Sequence, residues 1–565
     1  MTGRPDRIEP ARPALHDGRR DWSAAELDEA VVAAAAGLAR EGTRVLATAM
    51  DNAAAFVVLD EAARRAGAVH VPLAPFFTPA QAMHALQAAG VDTLVVDEAL
   101  AAQRPDLRWA RLDVAGRPLA RARLPLPPAR LPAGTEKITF TSGSTGAPKG
   151  VCLTGAAMQR VAEGLVHALA PLAIGRHLNA LPFSVLLENI AGVMAPRLSG
   201  ATLVTLPLAE VGLAGSSQFD AARFDATVRA HAPHSVILLP QMLRAWCAHL
   251  AATGQRAPAS LKIVAVGGAA VGAPLVAAAE RLGIPACEGY GLSEGASVQT
   301  LNLPGAGGGA RAGSAGRLLP HARLRVAADG ELEIAGALFS GYLGEAGAPT
   351  APAADGWWPT GDLGHVDADG FVHVRGRKKN VLITAFGRNV SPEWVETALR
   401  SHPAVLQAVV FGEACPALSA VLWPTAASVS DAALQAAVDA ANATLPDYAR
   451  VQRWTRGRAA FEAGTGLATP NGRPQREAIA RLHPEVASAP PMPPGSDTAT
   501  GATAAATAAA TGAATGAATG AATGAATGAA TAAALAVEAA RAAQDAAAGP
   551  APRSSSTATP ESLPA

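Results

Sequence analysis

Thr139-Phe-Thr-Ser-Gly-Ser-Thr-Gly-Ala-Pro-Lys-Gly-Val151 is the stretch on which the reading of this chain turns. Its three glycines interleave with the hydroxyl residues Thr141, Ser142, Ser144 and Thr145. Exposed backbone N–H and O–H donors of this kind can wrap phosphate oxygens, and Lys149 adds a point charge at the end. A Walker A loop would need Gly before its Lys and Ser or Thr after it, whereas Pro148 and Gly150 flank this one. The loop follows a predicted strand at 138–141 and runs into a second extended segment at 151–154, so no helix dipole is aimed at the phosphates. A Gly/Ser-rich surface turn would explain the glycines but not Pro-Lys-Gly.

Outward from the loop, between about residues 27 and 250, Ala-rich helical stretches alternate with short Val/Leu/Ile runs at 44–48, 91–96 and 235–239. Strands alternating with helices predict mostly parallel, helix-covered sheets. Short alternating strands between about 312 and 374 predict an antiparallel or barrel-like subdomain. After Arg375-Gly-Arg-Lys-Lys379, a compact mixed segment ending near residue 485 has the size of a small α+β domain. The expected fold class is therefore α/β with mixed subdomains. A large N-terminal domain spans 1–376, a hinge 377–380, and a small mobile α+β domain 381–487. The remainder, 488–565, carries five GAAT units from Gly512 to Thr531 and almost no large apolar residue. Such a tail cannot bury enough surface to offset the cost of ordering it, so disorder is expected there.

Composition narrows the function. The chain has 565 residues, long enough for roughly three or four domain-sized units. Lys+Arg and Asp+Glu both number 46, which argues against a nucleic-acid binder working through a basic face. Only 5 of the 46 basic residues are Lys, so each Lys is informative. Cys152, Cys247, Cys287 and Cys415 have neither a CxxC nor a metal-ligand spacing, as in a reduced, cytoplasmic protein. There is no apolar leader and no run of roughly 18 apolar residues for a membrane span.

Two further motifs suit a nucleotide. In Glu288-Gly-Tyr-Gly-Leu-Ser-Glu294 a Tyr on a Gly-flanked turn can offer its ring to a purine, and Glu294 can hold a hard cation. A Tyr-Gly turn beside a solvated Glu is the plainer alternative. In Trp357-Trp-Pro-Thr-Gly-Asp-Leu-Gly364 the carboxylate of Asp362 suits two vicinal hydroxyls, or else caps a turn between strands.

Taken with these motifs, Thr-Ser-Gly-Ser-Thr-Gly-Ala-Pro-Lys-Gly resembles the phosphate loop of the adenylate-forming (AMP-binding) superfamily, which includes acyl-CoA synthetases, luciferases and peptide-synthetase adenylation domains. The likeness runs in order from about residue 21 to 482. It implies that Thr141, Ser142, Gly143, Ser144, Thr145, Gly146 and Lys149 hold ATP phosphates. Gly268 and Ala269, in Val266-Gly-Gly-Ala-Ala270, would form a backbone wall beside adenine. Tyr290 would stack on the base, in one turn with Gly291 and Ser293, while Glu294 ligates Mg²⁺. Asp362 and Arg377 would take the ribose. Lys379 matches the hinge about which the small domain swings, and Gly387 matches the glycine of a loop that serves the thiol step. The run from Val381 to Glu393 is most similar to long-chain acyl-CoA synthetases.

The implied reaction is ATP-dependent activation of a medium- or long-chain fatty acid to an acyl-adenylate, then transfer to a thiol, with ATP, Mg²⁺ and CoA required. An acyl-carrier protein is the alternative acceptor, and a non-catalytic nucleotide or acyl-CoA sensor the alternative class. No nucleic acid or membrane span is expected, though the acyl substrate is compatible with peripheral membrane contact. Two departures stand out. Family members commonly carry a Lys that bridges the substrate carboxylate and the α-phosphate, and Arg473 occupies that place in Thr469-Pro-Asn-Gly-Arg-Pro-Gln-Arg476. A guanidinium keeps the charge but is broader and less mobile. Lys149, Glu294 and Arg473 are thus the expected catalytic groups. Val185 stands where long-chain synthetases often have His, which predicts a greasier pocket wall, while Glu188 still matches.

Overall fold

The computed structural model describes residues 12–105, 107–141, 148–214, 218–305, 309–344, 355–386, 388–469 and 472–487. Two large sheets form the scaffold. In the first, Val45–Ala49, Val69–Pro72, Thr93–Asp97 and the leading end of Thr135–Thr141 pair in parallel. Lys149–Thr154 then returns antiparallel to Thr135–Thr141, bringing Thr141 opposite Lys149. The phosphate-loop stretch therefore joins two neighbouring strands, the strand–loop–strand form expected from its flanks. Residues 142–147 lie outside the described residues, and with them the expected contacts of Ser142, Gly143, Ser144, Thr145 and Gly146.

The second sheet has nine strands. Its parallel centre is Thr202–Val204, Arg176–Leu178, Ser235–Leu238, Ile263–Val266 and Ala286–Leu292. Antiparallel Ser297–Leu301 follows on one side. Two strands end where a neighbour dictates. Ser235–Leu238 stops because Pro240 opens the next helix, Pro240–Thr253. Thr93–Asp97 begins two residues later than the run at 91–96 because the Asp92 carboxylate accepts from the backbone N–H groups of Arg44 and Val45, at 3.0 and 3.3 Å.

The strand that feeds the phosphate loop is pinned from beneath. Lys137 is 4% exposed and its Nζ lies 2.8 Å from Asp60 Oδ1, while His70 Nδ1 is 2.5 Å from the same oxygen. Asn189 bonds to both Lys137 and Asp60. Burial alone would raise the Asp60 carboxyl, but the Lys137 charge and His70 outweigh it and hold that group well below the carboxylate range.

The expected antiparallel subdomain takes the form of a four-stranded sheet: Ala322–Val326, Glu331–Gly336, Trp358–Val366 and Val372–Arg377. Between its second and third strands the chain sends Gly341–Tyr342 out to pair with Lys149–Thr154 of the first large sheet. After the 3₁₀ turn Lys378–Asn380 come the short hairpin Leu382–Ile383/Asn389–Val390 and a three-stranded sheet with its helices. That unit has an apolar core of its own, including Val395, Leu399, Val410, Leu422 and Leu434. Gly387 lies outside the described residues, as does the whole of 488–565.

Candidate active site

A cavity of about 2020 Å³ opens between the large sheets, the four-stranded sheet and the C-terminal unit. Its lining includes Thr141, Lys149, Gly268, Ala269, Tyr290, Gly291, Ser293, Glu294, Asp362, Arg377, Lys379 and Arg473, so every described site residue inferred from sequence meets there. Ligand pockets commonly measure 300–1,000 Å³, so this one has room for more than a single small molecule.

Asp362 sits in the strand Trp358–Val366 rather than on a free turn, directly opposite Arg377 in the ladder. Arg377 Nε is 2.8 Å from Asp362 Oδ1, and the Tyr290 hydroxyl donates to Oδ2 at 2.8 Å. Burial raises the Asp362 carboxyl, and the Arg377 charge acts against that rise. Burial, and then the Asp362 charge, push the Tyr290 phenol well above its ordinary value, so Tyr290 stays a donor. The bend that aims Tyr290 needs glycine beside it. The ladder register shifts between Tyr290 and Gly291, and a Cβ on Gly291 would lie 2.0 Å from the Ser297 carbonyl oxygen.

Glu294 follows on the 3₁₀ turn Ser293–Gly295. The Tyr342 hydroxyl donates to its Oε1 at 2.7 Å, and Lys149 Nζ lies 5.2 Å from the centroid of the Tyr342 ring. Tyr342 thus ties the carboxylate to the phosphate-loop Lys, because its short strand is the one that crosses between sheets. Sequence reasoning missed it. Its signal was scarcity: the chain has only 3 tyrosines, and two of them are in this site.

Glu294 fits a Mg²⁺ ion in the manner usual for nucleotide enzymes, where one or two carboxylates share the metal with substrate phosphates. Among the described residues no cluster of three or more His, Cys, Asp and Glu offers a dedicated metal cage. Nearby, burial pushes the Glu288 carboxyl up to about 7, although it accepts from the Val271 N–H at 3.0 Å.

Arg473 comes from the C-terminal unit. Its loop is closed by Thr469, whose N–H donates to the Arg473 carbonyl at 2.7 Å and whose Oγ1 accepts from the Arg473 N–H at 3.2 Å. The residue is solvent-exposed and lines the cavity. Burial and the Arg377 charge lower its pKa, opposed by Asp362 and Glu294. Lys379, expected from the sequence at a hinge, is also placed at the cavity. Its side chain lines the cavity, and burial together with Arg377, Arg473 and Lys149 depresses its pKa. The adjacent Lys378 turns away to Asp329 and Glu331, at 2.6 and 2.7 Å, and anchors the turn.

From the nucleotide end an apolar arm runs between the second sheet, through Ile237 and Ala265, and the helix Gly155–Leu169, through Leu165 and Leu169. Val185 lines it, as the greasier wall predicted. Glu188 is fully buried behind the arm and accepts from Asn179 Nδ2 at 2.8 Å.

Comparisons with known proteins bear on the family and the fold. A family model described as AMP-binding enzyme matches residues 5–345, and one described as AMP-binding enzyme C-terminal domain matches 379–483. A long-chain-fatty-acid–CoA ligase, FadD15, of Mycobacterium bovis is 36% identical over 241 residues, which are 38% of this chain and 39% of that protein. An indoleacetate–CoA ligase of Aromatoleum aromaticum is 32% identical over 292 residues, covering 49% and 54%. The matched region thus spans from about two fifths to about half of these relatives' length. In structure, the chain resembles the O-succinylbenzoate coenzyme A synthetase of Bacillus subtilis solved with AMP, at a TM-score of 0.65 and 23% identity over 83% of this chain and 95% of that one.

Proposed function

The chain belongs to the AMP-binding enzyme family, and from that membership we propose that it joins a carboxylic acid to the thiol of CoA at the expense of ATP. The observation that carries this reading is a single cavity shared by Lys149, Tyr290, Glu294 and Asp362 from one side and Arg473 from the other, with an apolar arm leading away.

In the first step a carboxylate oxygen attacks the α-phosphorus of ATP. The bond to the bridging oxygen breaks, and pyrophosphate leaves with the electron pair. An anion approaching an anion is the difficulty, so the chain's task is to hold the reactants together and neutralise charge. The Tyr290 ring and the Gly268–Ala269 backbone receive the base, and Asp362, held by Tyr290 and Arg377, keeps lone pairs for the ribose hydroxyls. Lys149 and Arg473 carry positive charge to the phosphates and to the incoming carboxylate. Mg²⁺ held by Glu294 would neutralise the polyphosphate further as its charge grows. In the second step the CoA thiolate attacks the acyl carbonyl and AMP departs. The small domain would swing about Lys379 between the steps. No side-chain nucleophile is required.

For the acyl group we favour a medium- or long-chain fatty acid, supported by the apolar arm, Val185 and the likeness of residues 381–393 to long-chain synthetases. ATP–pyrophosphate exchange, followed by thioester formation with CoA, across short-, medium- and long-chain fatty acids and aryl acids tests the reading. Exchange and thioester formation with fatty acids are expected. Nucleotide binding without exchange for any acid would point instead to a sensor, and exchange without a CoA thioester to another acceptor.

A further inference from the structure

The floor of the apolar arm is one face of the second large sheet. Successive strand residues point to opposite faces. Ile263 shares an apolar cluster with Leu165 of the helix Gly155–Leu169, whereas Val264 and Val266 belong to the cluster on the other side of the sheet. Ala265, two positions on from Ile263, therefore faces the arm, and it lines the cavity. The ladder sets it in a row with Ile237 on one neighbouring strand and Cys287 on the other. Ile237 and Cys287 are 3% and 2% exposed, so of the three Ala265 is the one that keeps accessible surface. At that row the passage runs over a single methyl group.

The rows of the sheet measure the arm. Leu239 and Gly267 line its nucleotide end, just past the strand ends Leu238 and Val266. The Ile237–Ala265 row comes two residues earlier and the Ser235–Ile263 row four, which places them roughly 7 and 13 Å along the arm at about 3.3 Å per residue. Beyond Ile263 the cavity continues to Ile174 and Ala173, in the segment before the strand Arg176–Leu178, whose His177 pairs with Ser235. The roof is apolar, with Leu165 and Leu169 one helical turn apart. An extended hydrocarbon advances about 1.25 Å per carbon, so it reaches the Ala265 row after about 6 carbons and the Ile263 row after about 10.

We propose that Ala265 determines the acyl-chain length accepted by this site, and that the preferred acids are long-chain ones, of about 12 carbons or more, whose methylenes pass over Ala265 into the deeper arm. Ile237 and Cys287 occupy the places beside it, and a strand side chain stands roughly perpendicular to its sheet, so any larger group at this position would project into the passage. Each methylene carried past the row leaves water for an apolar wall, which is worth about fourfold in binding. The inference rests on the acyl-activating reading above and narrows the substrate class of that site.

The test is ATP–pyrophosphate exchange by the full chain with saturated acids of increasing length. For wild type, kcat/KM should climb by about twofold to fourfold per added methylene between about 6 and 12 carbons. Ala265→Phe should close the passage and lower the ratio of kcat/KM for an acid of about 12 carbons over one of about 6 carbons by about 100-fold or more. Ala265→Leu, a smaller intrusion, should lower that ratio by about tenfold, and it keeps the test readable where the Phe variant does not fold. A wild-type rate that stays flat or falls over that range would overturn the inference. So would Ala265 variants that slow short and long acids by the same factor, the mark of general damage to the sheet. No exchange with any acid is a different result, and it would remove the acyl-activating reading itself.

Discussion

The two sides of the active site are built differently. On the large-domain side each functional group is already held by a neighbour. Tyr290 and Arg377 grip Asp362, Tyr342 grips Glu294, and Asp60 anchors the strand leading into the phosphate loop. On the small-domain side, among the described residues, Arg473 is held through its backbone by Thr469, and its side chain meets Asp362, Glu294 and Arg377 through charge. The difference teaches how labour divides. On the proposed function, nucleotide recognition would be wired into the sheets, whereas the Arg473 charge would be delivered by a separate unit with a core of its own.

Four experiments would break or sharpen that contrast. The largest effect is expected for Lys137→Met, which strands the buried Asp60 carboxylate and should cost about 3–5 kcal/mol in urea unfolding. A loss below about 1 kcal/mol would mean that the large-domain side is not wired as described.

Next, Arg473→Ala should slow acyl-adenylate formation by about 10²–10³-fold. It should leave thioester formation from a supplied acyl-adenylate nearly intact, and Arg473→Lys should recover much of the loss. Equal damage to both steps would tie Arg473 to the permanent half of the site.

Tyr342→Phe comes third. Removing the hydroxyl that orients Glu294 should reduce exchange by about tenfold, in the range seen when partners of metal ligands are lost, and should raise the Mg²⁺ concentration needed for half-maximal rate. An unchanged Mg²⁺ dependence would show that the hydrogen bond has no functional weight.

The smallest effect concerns pH. Glu288 has its pKa raised from 4.5 to about 7, so its neutral form favours the fold below about 4.5, and that stabilisation is lost as pH climbs through about 7. Glu288→Gln is neutral throughout. Its melting temperature relative to wild type should therefore rise between those pH values and level off above them. A difference independent of pH would refute the buried-carboxyl assignment.

How much was legible beforehand follows from how each group is encoded. Thr141, Lys149, Tyr290, Glu294 and Asp362 were readable because each sits in a contiguous run whose glycines and hydroxyls have few other uses. Arg473 was readable as a departure from such a run. Tyr342 was not, because its role comes from a two-residue strand that crosses from one sheet to another. Lys137 stood apart from every motif, since its partner Asp60 is 77 residues away and only parallel pairing brings them together.

By itself, then, the sequence determined the family, the order of its layers and the local chemistry of the nucleotide motifs, because these depend on neighbouring residues and on periodicity. Tertiary structure decided which charges meet: Lys379 turned into the cavity while Lys378 turned away, and Tyr342 placed between Lys149 and Glu294. Those outcomes depend on distances between elements far apart along the chain, and such distances follow from sheet register and packing rather than from any local run of residues.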